Sequence, residues 1–499
     1  MKAIIVGGGI AGLSAGVYAS QSGFDVTIFE SHSIPGGNAT DWKRKGYFFE
    51  GGLHWLIGSK EKTPLHALFK EIGALQENNP IHVKDPFLTY MGKRKKIYLY
   101  RNLEKLRQHL EEISPEDKAA IDELVKDAKI MSKMSMPIVD SKGVKVKKKA
   151  RFPLSMLLAL PKALPLMKKL GKITAKEYAG RFKNPDIASL LRNLIADDGF
   201  QALPIAATLG SLSIGDGGYP DGGALRLAGN IADEFARLGG KIEYNAMVEK
   251  IHIQNGKAAG VVIGGLLHTA DAVIVTLDTR KAIDSLFDPP IEEKWADEMR
   301  QNIKPINCSF VALGVTADLS GLPSKMCFQL DTPIVHCGKK FEFITVNNYA
   351  GFKGYAPEGC TAVTLILNAD TYDAWKTAKA DGVYAEKKAE LAELVIDTLA
   401  NLLPQTKDNI EVWNVATPLT YERYCGTWRG SWMSLMGVGD KRSTYPCKPE
   451  SIENLYFAGQ RLQVPGGVAV AAYTGRNAVQ HLCRDQNTIF QGKMEEPQC

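Results

Sequence analysis

Gly7, Gly9 and Gly12 follow the β-branched run Ile4-Ile5-Val6 and open a helix-forming stretch over 13–22; an acid, Glu30, closes a second apolar run, Val26-Thr27-Ile28-Phe29. Strand, glycine loop, helix, strand and acid in that order make a Rossmann-type dinucleotide site. Gly7 permits the tight turn, Gly9 lets the backbone approach a pyrophosphate, and Gly12 lets the helix lie close on the sheet. The helix start offers free N–H groups and a partial positive charge to phosphates. Glu30 can accept hydrogen bonds from ribose hydroxyls, and its charge disfavours a 2′-phosphate, so FAD or NAD fits and NADP does not. Pro35-Gly36-Gly37, just past the acid, gives the second close backbone passage that a doubled nucleotide such as FAD needs.

A matching feature lies near the other end. Leu455-Tyr456-Phe457-Ala458-Gly459-Gln460 reads as a short buried strand, and Pro465-Gly466-Gly467 precedes a helix over 468–482 with Val470, Ala471, Thr474 and Ala478 along one face. This second helix start is placed to direct its dipole at the N1/O2 edge of a flavin ring, where negative charge collects on reduction. Gln460 stands where many flavoproteins carry an acid, and its amide can still serve the ribityl or phosphate region.

Chemistry at a flavin means hydride transfer at N5 and management of a proton on the neighbouring carbon. His54-Trp55, and the aromatic and basic cluster Tyr421, Arg423, Tyr424, Trp428, Arg429 and Trp432, are the candidates for the substrate side; His54, Tyr421 and Arg429 are the catalytic candidates among them. No paired carboxylates, Ser-His-Asp order or metal-ligand spacing occurs, so no metal is expected. No second glycine fingerprint occurs either, so NAD(P)H would reach the flavin only transiently, or a separate electron partner would serve.

These residues must be held by a chain of 499 residues, long enough for two or three lobes, with 45% hydrophobic and 23% charged residues and a net charge of +6. That surplus gives no single-sign field, and nucleic acid is not expected. Eight cysteines between Cys308 and Cys499 form no Cys-x-x-Cys pair and no disulfide framework, which fits a reduced, cytoplasmic compartment. No apolar run reaches the roughly 20 residues that cross a bilayer. The segment 142–172 is basic, then apolar: Lys145, Lys147, Lys148, Lys149 and Arg151 precede Leu157, Leu158 and Leu160, while Pro153, Pro161 and Pro165 are expected to prevent one long helix. Such a segment could lie in a membrane interface, its lysines on anionic head groups, and admit a lipid-dissolved substrate.

The stretches KAIIVGGGIAGLSAG, VTIFESHSIPGGNATDWKRKGYFFEGGLHWL, YPDGGALRLAGNIADEFARLGGKIEYNAMVEKI, TPLTYERYCGTWRGS and NLYFAGQRLQVPGGVAVAAYTGRNA resemble the phytoene-desaturase and retinol-saturase family of FAD oxidoreductases, a branch of the group that includes the monoamine oxidases. The resemblance implies an α/β fold: a Rossmann-like, glutathione-reductase-type FAD domain from 1–75, 215–285 and 445–485, a discontinuous α+β substrate domain from 76–214 and 286–444, and a tail over 486–499. It places the backbone of Val248 at the adenine and His54 beside the isoalloxazine, with Ala11, Leu53, Gly459, Gly466 and Val468 as further cofactor contacts. Independent patterning agrees: Ala224, Ala228, Ile231, Phe235 and Leu238 share a helical face, Asn255-Gly256 marks a hairpin turn, 308–315, 341–347 and 361–367 read as strands, and Leu391, Leu394, Val395, Leu399 and Leu402 mark a helix. Gly52-Leu53-His54-Trp55 departs from the carotenoid-desaturase pattern toward the retinol-saturase side. The expected activity is formation or reduction of a C=C bond in a lipophilic, isoprenoid or polyene-like substrate. Alternatives are a flavin amine oxidase and, from another class, a prenyl-binding escort protein of related fold.

Overall fold

A computed structural model describes residues 1–92, 95–150, 153–440 and 443–492. Its first sheet has five parallel strands in the order Leu455–Phe457, Ala272–Val275, Lys2–Val6, Asp25–Phe29 and Lys241–Glu243. Both faces are covered, which is why Ile4-Ile5-Val6 is continuously apolar rather than alternating. Ala3 and Ile5 enter a core with the helices Ile10–Gln21, Gly223–Arg237 and Val468–Asp485; Ile4 and Val6 enter another, under the antiparallel strands Lys250–Gln254, Lys257–Ile263 and Leu266–Thr269. Asn255 (φ 53°) and Gly256 (φ 74°) turn the first of those hairpins as expected.

The second sheet has seven strands, ordered Ile410–Ala416, Cys308–Val315, Thr361–Asn368, Lys339–Asn348, Lys325–His336, Leu88–Met91 and Lys96–Leu99. Only Lys325–His336 and Leu88–Met91 pair in parallel. One face packs under the helix Tyr384–Leu402 through Leu391, Val395 and Leu399, while Phe343, Thr345 and Asn347 of the Lys339–Asn348 strand turn the other way, into a cavity facing the first sheet. A helical layer, including Leu103–Ile113, Lys118–Met131, Leu154–Leu170 and Leu203–Ser213, packs on the strands Leu88–Met91 and Lys96–Leu99, and the segment 192–198 that leaves it lines the cavity.

One expectation fails here. Leu154–Leu170 is a single helix with Pro161 and Pro165 inside it. The two prolines stand four apart on the exposed side, so the carbonyls they leave without a helical donor, those of Leu157 and Pro161, lie where water can reach them. Arg151 lies outside the described residues, as does 493–499 of the tail. Among the described residues no helix is long and apolar enough to cross a membrane, and no group of side chains could hold a metal ion.

Candidate active site

The strand Lys2–Val6 delivers the chain to Gly7, and the helix Ile10–Gln21 starts after Gly9 with no side-chain cap, which leaves its first N–H groups available. The helix lies so close to the turn that a Cβ on Gly12 would stand 1.9 Å from the Gly7 carbonyl oxygen. Glu30 is fixed at the end of the neighbouring strand: its Oε2 accepts from Gly8 N–H (2.6 Å) and its Oε1 from His32 N–H (2.8 Å). Gly36 N–H donates to the Gly8 carbonyl (2.9 Å), so the two glycine turns run side by side. Gly7, Gly9, Ala11, Glu30, Gly36, Gly37 and Val248 all line one cavity of about 1210 Å³; Gly12 packs behind it.

The C-terminal turn reaches the same cavity. Gly459, Gln460, Gly466, Gly467 and Val468 line it, and the helix Val468–Asp485 starts after Gly467, also without a side-chain cap. Gly467 has φ +98°, and a Cβ built on it meets nothing within 4 Å, so glycine here answers to the backbone and keeps the space in front of it open. Gln460 Oε1 accepts from Gly467 N–H (3.0 Å): the amide holds the turn. Behind it Arg461 and Asp278 form a buried ion pair (2.9 Å), and Arg461 also donates to Ser434 Oγ (2.7 Å) and the Ser431 carbonyl (3.0 Å).

The cavity thus joins two uncapped helix starts, and it exceeds the roughly 300–1,000 Å³ of a drug-sized site. Asn38 Oδ1, Thr427 Oγ1, Trp432 Nε1 and Asn368 Oδ1, all of wall residues, are buried with no hydrogen-bond partner among the described residues. Unspent polar atoms and glycine-lined turns fit a flavin dinucleotide.

On the substrate side His54 and Tyr421 line the cavity, and Arg429 does not. Arg429 turns away to Asp373 (2.7 Å) and Asp370 (3.3 Å) and stacks over Tyr372, which occupies its guanidinium. Tyr424 and Trp432 reach the wall, whereas Arg423 lies over the ring of Tyr424 and Trp428 under Arg280. Tyr421 is buried, hydrogen-bonded to Cys308, and its phenol is held well above the ordinary range by burial. His54 Nδ1 lies 3.4 Å from the Tyr349 hydroxyl. Burial, and then the positive charge of Lys325, push the His54 imidazolium down to about 3, so the ring is neutral at ordinary pH.

Sequence reasoning missed three residues. Lys325 lines the cavity with its Nζ 4.3 Å from the centre of the Trp55 ring. Glu50, fully buried, accepts from Gly52 N–H (2.8 Å), Leu53 N–H (2.8 Å), Tyr219 OH (2.8 Å) and Ala224 N–H (2.9 Å), and so fixes the loop that carries His54. Burial raises its carboxyl to about 7, and that of nearby Asp41 likewise to about 7, with Glu50 adding to the shift. An acid in the apolar-looking run Tyr47-Phe48-Phe49-Glu50-Gly51-Gly52 was the available signal for Glu50; none marked Lys325.

The chain is similar to the chloroplastic prolycopene isomerase of Daucus carota, 24% identical over 503 residues that cover 97% of this chain and 80% of the carrot protein. It is 21% identical over 517 residues to the all-trans-retinol 13,14-reductase of Danio rerio, covering 93% of this chain and 83% of that protein. The fold matches that of cyclohexylamine oxidase from Brevibacterium oxydans IH-35A with a TM-score of 0.63 at 15% identity, over 97% of this chain and 99% of the oxidase. Residues 10–483 match the family described as flavin containing amine oxidoreductase. The chain therefore belongs to the flavin-containing amine oxidoreductase family, as an FAD-dependent oxidoreductase similar to the phytoene desaturases and retinol saturases.

Proposed function

We propose that this enzyme forms or reduces a C=C bond in a lipophilic, polyene- or isoprenoid-like substrate. The observation that carries this over amine oxidation is the charge beside His54: Lys325 puts an ammonium in the cavity wall there, with no carboxylate ion-paired to it among the described residues, a poor neighbour for a protonated amine. The names of the relatives, which refer to prolycopene and retinol, point to the same substrate class.

FAD, when bound, supplies a two-electron centre able to take or give a hydride. Gly7, Gly9, Ala11, Gly12, Glu30, Gly36, Gly37 and Val248 would hold its adenosine and pyrophosphate half; Leu53, His54, Gly459, Gln460, Gly466, Gly467 and Val468 would hold the other. The division proposed is a glutathione-reductase-type FAD domain from 1–75, 215–285 and 445–485, with the substrate domain from 76–214 and 286–444. Phe343, Ile366 and Trp432 give the substrate an apolar wall that excludes water. Neutral His54 shares a hydrogen bond with Tyr349 and can position the substrate beside it, and Tyr421 stays protonated as a hydrogen-bond donor. Electrons would pass to or from a transient NAD(P)H or another partner.

A peripheral lipid contact belongs to the same proposal. The helix Leu154–Leu170 buries Met156, Ala159, Ala163, Leu166 and Leu170 and leaves Leu154, Leu157, Leu158 and Leu164 exposed, the first and third by 69% and 74%. Exposed Lys162, Lys168 and Lys169 flank them, as the edge of an interfacial helix requires.

Anaerobic mixing of the holoenzyme, oxidised and reduced in turn, with a panel of polyenes, enones and amines tests the reaction class. A change in flavin absorbance with a polyene or enone is expected. Reduction by simple amines alone, with peroxide formed on admitting air, would overturn it.

A further inference from the structure

Lys325 opens the strand Lys325–His336 and pairs in register with Asn347 of the next strand; both side chains line the cavity. Its Nζ lies over two aromatic rings, 4.3 Å from the centre of Trp55 and 5.0 Å from that of Phe87. Among the described residues it makes no ion pair, and the titratable groups that face it are His54, kept neutral, and the Cys327 thiol, pushed up to about 12 by burial. Aromatic faces attract a cation but carry no counter-charge. Lys325 is half-buried in the open cavity, and a ligand that fills the cavity would take its ammonium out of water; charges taken out of water are ordinarily paired, so the site calls for an anion that enters with the ligand.

We propose that Lys325 selects the substrate by pairing with a carboxylate at one end of an otherwise lipophilic molecule, with Asn347 beside it on the same sheet face. This rests on the lipophilic-substrate proposal above and narrows it from hydrocarbons and alcohols to lipophilic acids. A neutral polyene would leave the ammonium desolvated and alone, whereas an acid supplies the missing charge while its apolar chain meets Phe343 and Ile366.

The test is binding of retinoate and of methyl retinoate to the holoenzyme, followed by quenching of tryptophan emission, which Trp55 beneath Lys325 makes sensitive to occupancy. The acid is expected to bind at least tenfold more tightly than the ester. Lys325→Met should bring the acid to the level of the ester and leave ester binding unchanged, which also shows that the variant is folded, and Lys325→Arg should keep the preference. Equal affinity for acid and ester in the wild type, or a preference that survives Lys325→Met, would overturn the role of Lys325 while leaving the lipophilic-substrate proposal standing. Binding of neither would overturn both.

Discussion

His54, half-buried in the cavity wall, and Glu50, fully buried, both have their charged forms disfavoured by desolvation, with opposite consequences for stability. His54 has its folded value pushed down to about 3 from 6.5, so between those values the unfolded chain takes up a proton that the folded chain refuses. Its contribution is present above pH 6.5 and is lost as pH falls toward 3. His54→Gln should therefore flatten the fall of Tm on acidification from pH 7 to 4; an unchanged slope would show that the imidazole is not buried as described. Glu50, raised to about 7, favours the folded state less as pH climbs from 4.5 to 7. Its four donors, however, are arranged around an acceptor. Glu50→Ala should orphan the N–H groups of Gly52, Leu53 and Ala224 and cost about 1–3 kcal/mol in chemical denaturation, against about 1 kcal/mol for Tyr219→Phe, which removes one bond to Glu50 and one to the Tyr355 hydroxyl.

At the scale of elements, what could be read from the sequence depended on how local the signal was. Gly7, Gly9, Gly12 and Glu30 fall within one βαβ unit, so spacing alone specified their places, and Gly466-Gly467 announced a helix start in the same way. The strand Lys325–His336 gave no such signal: Asp331 and Pro333, which fall where its register shifts between Gln329 and Ile334, interrupt its pattern. Lys325, at its start, looks like any surface lysine until Trp55 and Phe87, distant in the chain, fold over it. Arg429 was misplaced for the converse reason, since its composition suits a pocket while its left-handed backbone (φ 52°) and the acids Asp370 and Asp373 turn it outward. The helix Leu154–Leu170 makes its own prediction. Sedimentation with anionic liposomes should fall at least several-fold when Leu154, Leu157 and Leu158 are changed to Ser, or when Lys147, Lys148 and Lys149 are neutralised. Equal and negligible binding by all forms would remove the lipid contact and leave the exposed leucines unexplained.

Across the whole molecule, strands of the parallel sheet and of the seven-stranded sheet line one cavity, which the helix starts after Gly9 and after Gly467 both reach. The turns are 458 positions apart in sequence and are brought together because Leu455–Phe457 joins the sheet begun by Lys2–Val6, through Ala272–Val275. The buried Asp278–Arg461 pair then locks the later turn against the segment 428–434. If one FAD spans both turns, damage at either end must weaken the same binding event. Titration of the apoprotein with FAD, read by quenching of flavin fluorescence, tests this most directly in the wild type, Glu30→Ala and Gly467→Val. One FAD per chain is predicted, with affinity at least tenfold lower in each variant. More than one FAD per chain, or unchanged affinity in either variant, would contradict a single cofactor held from both ends.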